Sequence, residues 1–587
     1  MQRWIRFLAA RRVVVFLLVA LALLPVGPIA TGANAAGRRA LAGHLPKNFN
    51  QLTPLGALSA KTRLTLTIAL RPRSAGALAQ LAATRSARLS VAEVAARFGA
   101  SDADVQSLTN YLAGYRLQVS TVSPDHLTIQ VHGTVADIQR ALSVQLENYR
   151  DPDGRTVYSP TTDPQLPVSL ADSVVSIVGL NDSLVLHPLH EYVPPKLKSE
   201  GLGSAPGNYV PADMQSAYDL TSLYNQGLNG NGVTIGIIGC DTFRASDIQE
   251  FSINYGLPNP SINVVNVDGG ADGTSVESTM DLEWSHAIAP NANLRFYGFA
   301  QNCSFQGFLD AVSAASNENI AKVISISLGA CESDYAQTSY LTAMENQFQV
   351  AAAEGQSILV ASGDSGGYCV NGNGTTLVDV SYPAASAYVT AVGGTSLSLN
   401  NLGGYGSETA WGYWYPTSNG SVPWGSGGGY STVIGEPAFQ SQAGIPDSSG
   451  ERALPDVAWN ADPQTGSCVY FQSSTQCGWG GTSIAAPQWA GLVAILDQKN
   501  AQPVGLLGTV LYGRALRCST TSLPAYHDVT QGSNLVYNAG SGWDAATGWG
   551  SPDASNLLAK LFPTTVSGGP TAYRIYLPFV NVQANVC

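Results

Sequence analysis

The chain has 587 residues, 45% hydrophobic and 12% charged, with a formal net charge of −12. That length exceeds one ordinary domain, and the apolar content is too high for a disordered chain. Acid is concentrated from Ser204 onward, with 9 Lys and Arg against 28 Asp and Glu, which excludes nucleic acid as the main partner of that part.

The N-terminus is basic (Arg3, Arg6, Arg11, Arg12). An apolar run from Val13 to Pro25 follows, then Ala33-Asn34-Ala35. This is the pattern of a signal peptide over residues 1–35, cleaved after Ala35, and it implies secretion. The Arg11-Arg12 pair also suits twin-arginine export, and an uncleaved anchor is the other reading. No later apolar run is long enough to span a membrane.

Residues 36–190 read as a small α+β domain. Leu64–Leu70 alternates as a strand. Ser90 and Ser101 are positioned to cap helices over Val91–Phe98 and Asp102–Leu112, and Thr134 opens another through Leu142. Strands are expected at Gln118–Val122 and Leu127–Val131. Residues 191–209, rich in Pro, Gly, Lys and Ser, read as an exposed linker with a processing site. From residue 210 to 562 strands alternate with helices, which predicts an α/β fold with a mostly parallel sheet and helices on both faces. Val323–Gly329 reads as one strand. Residues 563–587 form an extension whose apolar run Tyr573–Val580 is too short to span a membrane; it docks on the core or tethers the protein to a partner or cell surface.

The eight cysteines all lie from Cys240 onward. An exported chain with an even count allows pairing, but connectivity is not readable. Cys468 and Cys477 flank a short aromatic stretch and are expected to form a local bridge. Cys240 ends the strand Val233–Ile238 and is read as simply buried.

Four motifs carry chemistry. Gly480-Gly481-Thr482-Ser483 precedes a run with helical spacing, so Ser483 stands at a helix N-terminus, where backbone N–H groups favour an oxyanion. The same turn serves equally well as a plain helix cap. Glu277 and Asp281 are four apart, hence on one helix face. Held close, they cannot both ionise cheaply; on a solvated face they would be unremarkable. Asp364, in Ser362-Gly363-Asp364-Ser365-Gly366, follows the buried strand Ser357–Val360. There a protonated carboxyl would donate to an oxyanion, or the residue simply makes an Asx turn. Asp528 and Asp544 sit in glycine-rich turns whose oxygens suit a hard cation. Of seven histidines, His44, His126, His132, His187 and His190 precede the expected processing site, leaving His286 and His527 as serine partners.

Together and in this order, these motifs resemble the sedolisin family of serine-carboxyl peptidases. The resemblance covers most of the chain and includes Ala95–Gly99 and Val175–Leu180 in the N-terminal part. It implies a subtilisin-like fold preceded by an inhibitory α+β activation propeptide that is removed. It implies Ser483 as nucleophile, Glu277 as general base, Asp281 orienting it and Asp364 as oxyanion-hole acid. It also implies one structural Ca2+ on Asp528 and Asp544 with the carbonyls of Val529, Gly540 and Gly542. Ser327, Leu328 and Gly329 are the expected substrate-binding edge, and Gly425–Ser431 a second cleft loop.

Partners are then protein or peptide substrates and the chain's own propeptide, held by opposite net charge and weakened by acid; a monomer is expected. Endopeptidase and tripeptidyl-peptidase action both remain open. Two rivals stand beside this reading. A subtilisin-like neutral protease would use Asp241 after the first strand, but it needs a histidine where this chain has Glu277. A secreted scaffold would have kept the fold and lost catalysis.

Overall fold

The computed structural model describes residues 37–84, 88–195, 205–300, 302–370, 376–418, 420–513, 516 and 524–563. The expected leader, the middle of the linker, Cys518, Cys587 and nearly all of the C-terminal extension lie outside them. Among the described residues, no helix is long and apolar enough to cross a membrane.

The N-terminal part comprises β1 (Arg63–Leu70), α1 (Val91–Arg97), α2 (Asp102–Gly114), β2 (Gln118–Val122), β3 (Thr128–Thr134), α3 (Val135–Leu142) and β4 (Val174–Val178). The strands form an antiparallel sheet in the order β2-β3-β1-β4. Local chemistry sets the helix starts. Ser90 accepts from the Glu93 N–H while the Glu93 carboxylate takes the Ser90 N–H at 2.8 Å, a reciprocal capping box. Ser101 and Thr134 cap α2 and α3 by accepting from the Asp104 and Asp137 N–H groups, without the reciprocal backbone bond. Leu66, Ile68, Ile129, Val131, Ile138 and Ile177 close the core between sheet and helices.

A paired segment follows: β5 (His187–Pro188) and β6 (Glu191–Tyr192). The C-terminal part then runs β7 (Thr234–Gly239), β8 (Ile262–Val267), α4 (Glu277–Ile288), β9 (Asn293–Phe299), α5 (Phe305–Glu318), β10 (Val323–Ile326), β11 (Leu328–Cys331), α6 (Ser339–Ala353), β12 (Ser357–Ala361), β13 (Thr390–Leu399), β14 (Tyr405–Ala410), β15 (Val457–Asn460), β16 (Ser467–Phe471), β17 (Ser474–Gly480) and α7 (Thr482–Asn500). The main sheet has the order β8-β9-β7-β10-β12-β13-β14, with β15 beside β13. All its pairs are parallel except β13 with β14. Helices α4 and α7 pack together on one face, where Trp284 and Trp489 are fully buried. Helices α5 and α6 cover the other, around Phe308, Met344 and Phe348. Ile237 and Ile238 of β7 belong to opposite cores, as strand alternation requires.

Three details differ from the sequence reading. Val323–Gly329 is not one strand: β10 stays in the main sheet, and the chain turns at Ser327 so that β11 leaves it to pair elsewhere. Cys240 is more than simply buried. It is bridged to Cys303, alongside Cys331–Cys369 and the expected Cys468–Cys477. Residues 191–192 are not loose linker, because they are paired to the strand before Ser483.

The seam between the two parts also differs from a simple attraction of opposite charges. Thr67 donates to both oxygens of Asp310 at 2.8 Å, Gln130 to Asp268 at 2.5 Å, and Asn181 to the Tyr340 hydroxyl at 2.8 Å. Neutral donors on short side chains satisfy carboxylates without immobilising long cationic ones. Burial, then the nearby Asp268 charge, pushes the Asp310 carboxyl well up. A raised acid pKa makes its contribution full in acid and lost as pH rises. The Thr67 and Gln130 hydrogen bonds across the seam act against that upward shift, because they favour the charged carboxylate.

Candidate active site

Helix α7 begins on a turn that only glycine suits. Gly481 has φ +103°, and a Cβ there would stand 2.5 Å from both Asp364 Oδ2 and the Leu189 carbonyl oxygen. Ser483 follows within the first turn, fully buried, with its hydroxyl 3.3 Å from the Ser327 carbonyl. Thr482 binds the Asp364 loop: its N–H and hydroxyl donate to Asp364 Oδ1 at 2.7 and 2.8 Å, and it accepts from the Gly363 N–H at 3.0 Å. The other oxygen, Asp364 Oδ2, is buried and unpartnered. Burial pushes the Asp364 carboxyl up to about 7 against the Thr482 hydrogen bonds, so in acid it holds a proton.

Glu277 opens α4 and Asp281 follows one turn later; both are 1% exposed, not solvated. Burial drives both carboxyls well up. The Asp241 charge adds to the rise at Glu277, which nearby Ser483 tempers, and the Glu277 charge adds to the rise at Asp281. Ser327 donates to Asp281 Oδ1 at 2.7 Å. Glu277 Oε2 takes the imidazole Nδ1 of His190, whereas Oε1 has no hydrogen-bond partner.

An extended segment of the chain's own N-terminal part occupies the cleft. Leu186 N–H donates to the Cys303 carbonyl at 3.0 Å, and β5 pairs antiparallel with Leu328–Gly329. Leu189 N–H donates to Ser327 O at 3.2 Å, and the Leu189 carbonyl accepts from Ser483 N–H at 3.0 Å. β6 then pairs with Trp479–Gly480, and Val193 N–H donates to Gly478 O at 3.0 Å. The expected edge Ser327–Gly329 is thus where the segment before Leu189 binds. A cavity of about 200 Å³ opens beside it, lined in part by Leu189, Glu191, Ser362 and the Gly427–Gly428 loop.

The sequence reading did not anticipate Thr482, Trp479 or His190 here. Thr482 stood inside the nucleophile motif, but nothing in the sequence showed that it reaches Asp364. Asp241 lies near Glu277 without acting as a histidine's partner. It accepts from Ser275 Oγ at 2.8 Å and from Ser278 Oγ at 2.6 Å, holding the start of α4. His286 is roughly 13 Å further along that helix, buried, with Nε2 on the Pro258 carbonyl at 2.8 Å. His527 stacks on Tyr405. Neither meets Ser483, so the histidine-dependent rival lacks its base.

Asp528 and Asp544 both turn onto the Gly540–Asp544 loop. Asp528 accepts from Gly542 N–H at 3.0 Å and Asp544 from Gly540 N–H at 3.0 Å. Among the described residues no group of three or more His, Cys, Asp and Glu clusters as a metal site. Two carboxylates turned onto one glycine-rich loop are the donor type that a hard cation takes.

A pro-kumamolisin activation domain model matches residues 50–183, and a subtilase family model matches residues 266–550. The chain is 32% identical to kumamolisin of Bacillus sp. (strain MN-32), over 91% of this chain and 98% of that protein. It is 32% identical to sedolisin of Pseudomonas sp. (strain 101), over 86% and 89%. With tripeptidyl-peptidase 1 of Canis lupus familiaris it shares 28% identity, over 86% and 93%. Among solved structures, Pseudomonas sedolisin, a serine-carboxyl proteinase complexed with two molecules of pseudo-iodotyrostatin, aligns with a TM-score of 0.55 at 34% identity. That alignment covers 61% of this chain and 98% of the other.

Proposed function

The chain belongs to the sedolisin family of serine peptidases, and from that premise we propose a secreted, acid-acting serine-carboxyl endopeptidase that activates itself by cutting its own Leu189–His190 bond. One observation carries the proposal: the Leu189 carbonyl lies on the Ser483 N–H with Gly481 and Asp364 beside it. A peptide bond to be cleaved must sit there, because donors that meet the ground-state oxygen are poised for the oxyanion it becomes.

Ser483 Oγ attacks the Leu189 carbonyl carbon, and its proton passes to Glu277 through the unpartnered Oε1. Asp281, tied to Ser327, orients Glu277. The oxyanion takes hydrogen bonds from Ser483 N–H and the Asp364 carboxyl proton. The C–N bond breaks, the amine of His190 leaves with the proton from Glu277, and water hydrolyses the acyl-enzyme. Because Asp364 loses its proton as pH rises through about 7, the oxyanion donor is present in acid and lost above neutrality. Residues 1–35 act as the leader and 210–562 as the peptidase, and the cut at 189–190, just ahead of the expected processing segment 191–209, makes 36–189 the inhibitory propeptide in place of 36–190. The segment before Leu189 stays bound to the cleft beyond the third residue, through Leu186, which supports cleavage within chains rather than tripeptide release. One Ca2+ on Asp528, Asp544 and the carbonyls of Val529, Gly540 and Gly542 would brace the loop; it takes no part in the chemistry.

The test is to incubate the purified proform in acid and at neutral pH beside Ser483→Ala and Glu277→Ala, reading mass and N-terminal sequence. Maturation only in acid, with a new terminus at His190 and both variants left full-length, is the expected result. A Glu277→Ala variant that still matures would overturn the base assignment. A first cut elsewhere would overturn the assigned bond.

A further inference from the structure

The segment leaving the cleft after His190 meets one bulky side chain. β17 ends Gly478-Trp479-Gly480, and both glycines are required by close approach. A Cβ on Gly478, at φ +96°, would stand 1.9 Å from the Val193 carbonyl oxygen, and one on Gly480 would stand 2.3 Å from the Ala461 carbonyl oxygen. Trp479 is therefore what this stretch of edge offers a passing chain. In the antiparallel pairing Tyr192 lies opposite Trp479 and Glu191 opposite Gly480. Alternate residues of an extended strand share a face. His190 and Tyr192, two apart, both lie on the indole: the imidazole edge-on with centroids 5.6 Å apart, and the phenol tilted at 4.6 Å. Glu191 faces the other way, toward the cavity and the Asp364 charge.

Resting on the endopeptidase reading above, we infer that Trp479 is a specificity determinant on the leaving-group side, selecting polypeptides with an aromatic residue three positions after the cleaved bond. An aromatic side chain at that position packs tilted on the indole as Tyr192 does. A flat or β-branched aliphatic one gains area but no ring geometry, and alanine gains neither. The residue one position after the bond meets the indole edge, so a ring there adds a smaller preference. Such contacts lie away from the reacting atoms and act on the primed half of the substrate. Their loss therefore lowers kcat/KM for long peptides and spares substrates that stop short of the platform.

The experiment uses the matured enzyme and internally quenched peptides with blocked N-termini that follow the sequence of residues 185–193. The third residue after the bond is Tyr, Phe, Leu or Ala, and one further peptide ends in alanine a single residue after the bond, so that no ring reaches the indole. Wild type should favour Tyr over Ala by about 2- to 10-fold in kcat/KM, the span expected of one aromatic pair. Trp479→Ala should bring that ratio close to one while still cleaving the short peptide. Trp479→Phe should retain most of it, and Trp479→Leu, which keeps an apolar side chain without a ring, should not. If Trp479→Ala does not fold, the Phe and Leu variants carry the comparison. Equal rates on Tyr and Ala in wild type, or a preference that survives in Trp479→Leu, would overturn the inference alone. Failure of wild type to cleave any peptide in acid would instead bring down the peptidase reading on which it rests.

Discussion

The cleft and the β13–β15 edge of the sheet both bury carboxylates, and they treat them in opposite ways. At the edge, Glu408 accepts from Tyr218 at 2.6 Å, Thr395 at 2.7 Å and Ser551. Asp456 is held by the guanidinium of Arg452 at 2.5 and 2.8 Å, by Tyr512 at 2.7 Å and by the Ala391 N–H at 2.7 Å. Every oxygen there has a partner, as buried polar groups require. In the cleft, Glu277 Oε1 and Asp364 Oδ2 have none. The unused oxygens are where a proton arrives and where one is offered. A bare buried oxygen alone does not mark a site, since Glu283 and Asp497 each carry one too. What distinguishes the cleft pair is a buried serine hydroxyl and a peptide carbonyl beside them.

That contrast is broken or sharpened by substitution. Removing the nucleophile or base should abolish turnover, and Asp364→Ala should cost about 10²- to 10³-fold in kcat, the size of a lost oxyanion donor. Ser483→Ala should leave the melting temperature unchanged, whereas Asp364→Ala also strips the Thr482 N–H and hydroxyl of their acceptor and should lower it. Asp364→Asn keeps a donor that does not titrate, so its activity should no longer fall as pH rises through about 7, a change read from the kcat profile. At the sheet edge the reverse is expected. Arg452→Met strips buried Asp456 of its cation and should destabilise by roughly 3–5 kcal/mol in denaturant titrations, with kcat of the folded fraction unchanged. A destabilised Asp364→Asn or a catalytically impaired Arg452→Met would dissolve the distinction.

A smaller effect sharpens it at the seam. His44 is fully buried; its Nδ1–H donates to Leu41 O at 2.7 Å and its Nε2 accepts from Ile177 N–H at 2.9 Å. Burial lowers its pKa to about 4, against the raising effects of Leu41 and Asp163. A depressed folded pKa contributes stability above the ordinary value of 6.5 that is lost as pH falls toward about 4. Hydrogen exchange of the Ser483→Ala proform should show β4 loosening over that window, and His44→Gln should flatten the dependence. Acid thus loosens the seam at His44. Smallest of all, chelation should lower the melting temperature in proportion to calcium affinity, by about 2.7 kcal/mol of stability where calcium had stood at a hundred times its Kd. Asp544→Asn should remove that sensitivity without changing the pH profile.

Much of this was legible in the sequence because it is local. Ser90, Ser101 and Thr134 cap helices within three residues of themselves, β7, β12 and the antiparallel strands follow from alternation or apolar runs, and Glu277 and Asp281 share a face by spacing. The motif around Ser483 placed that serine at a helix start, and the family resemblance pointed to Ser327–Gly329 as an edge. What stayed hidden needed partners far along the chain. Cys240 finds Cys303, and Thr482 finds Asp364 across the sheet. His190, set aside with the N-terminal part, meets Glu277. Composition concealed that residues 187–193 are pinned to β11, β17 and the start of α7, because backbone pairing to an edge depends on the edge and not on side-chain pattern. The amino-acid sequence determined which chemistry the chain carries and where its elements begin. Only the tertiary structure decided which bond that chemistry faces and which oxygens are left bare, because burial and hydrogen-bond partnership arise from packing between distant segments.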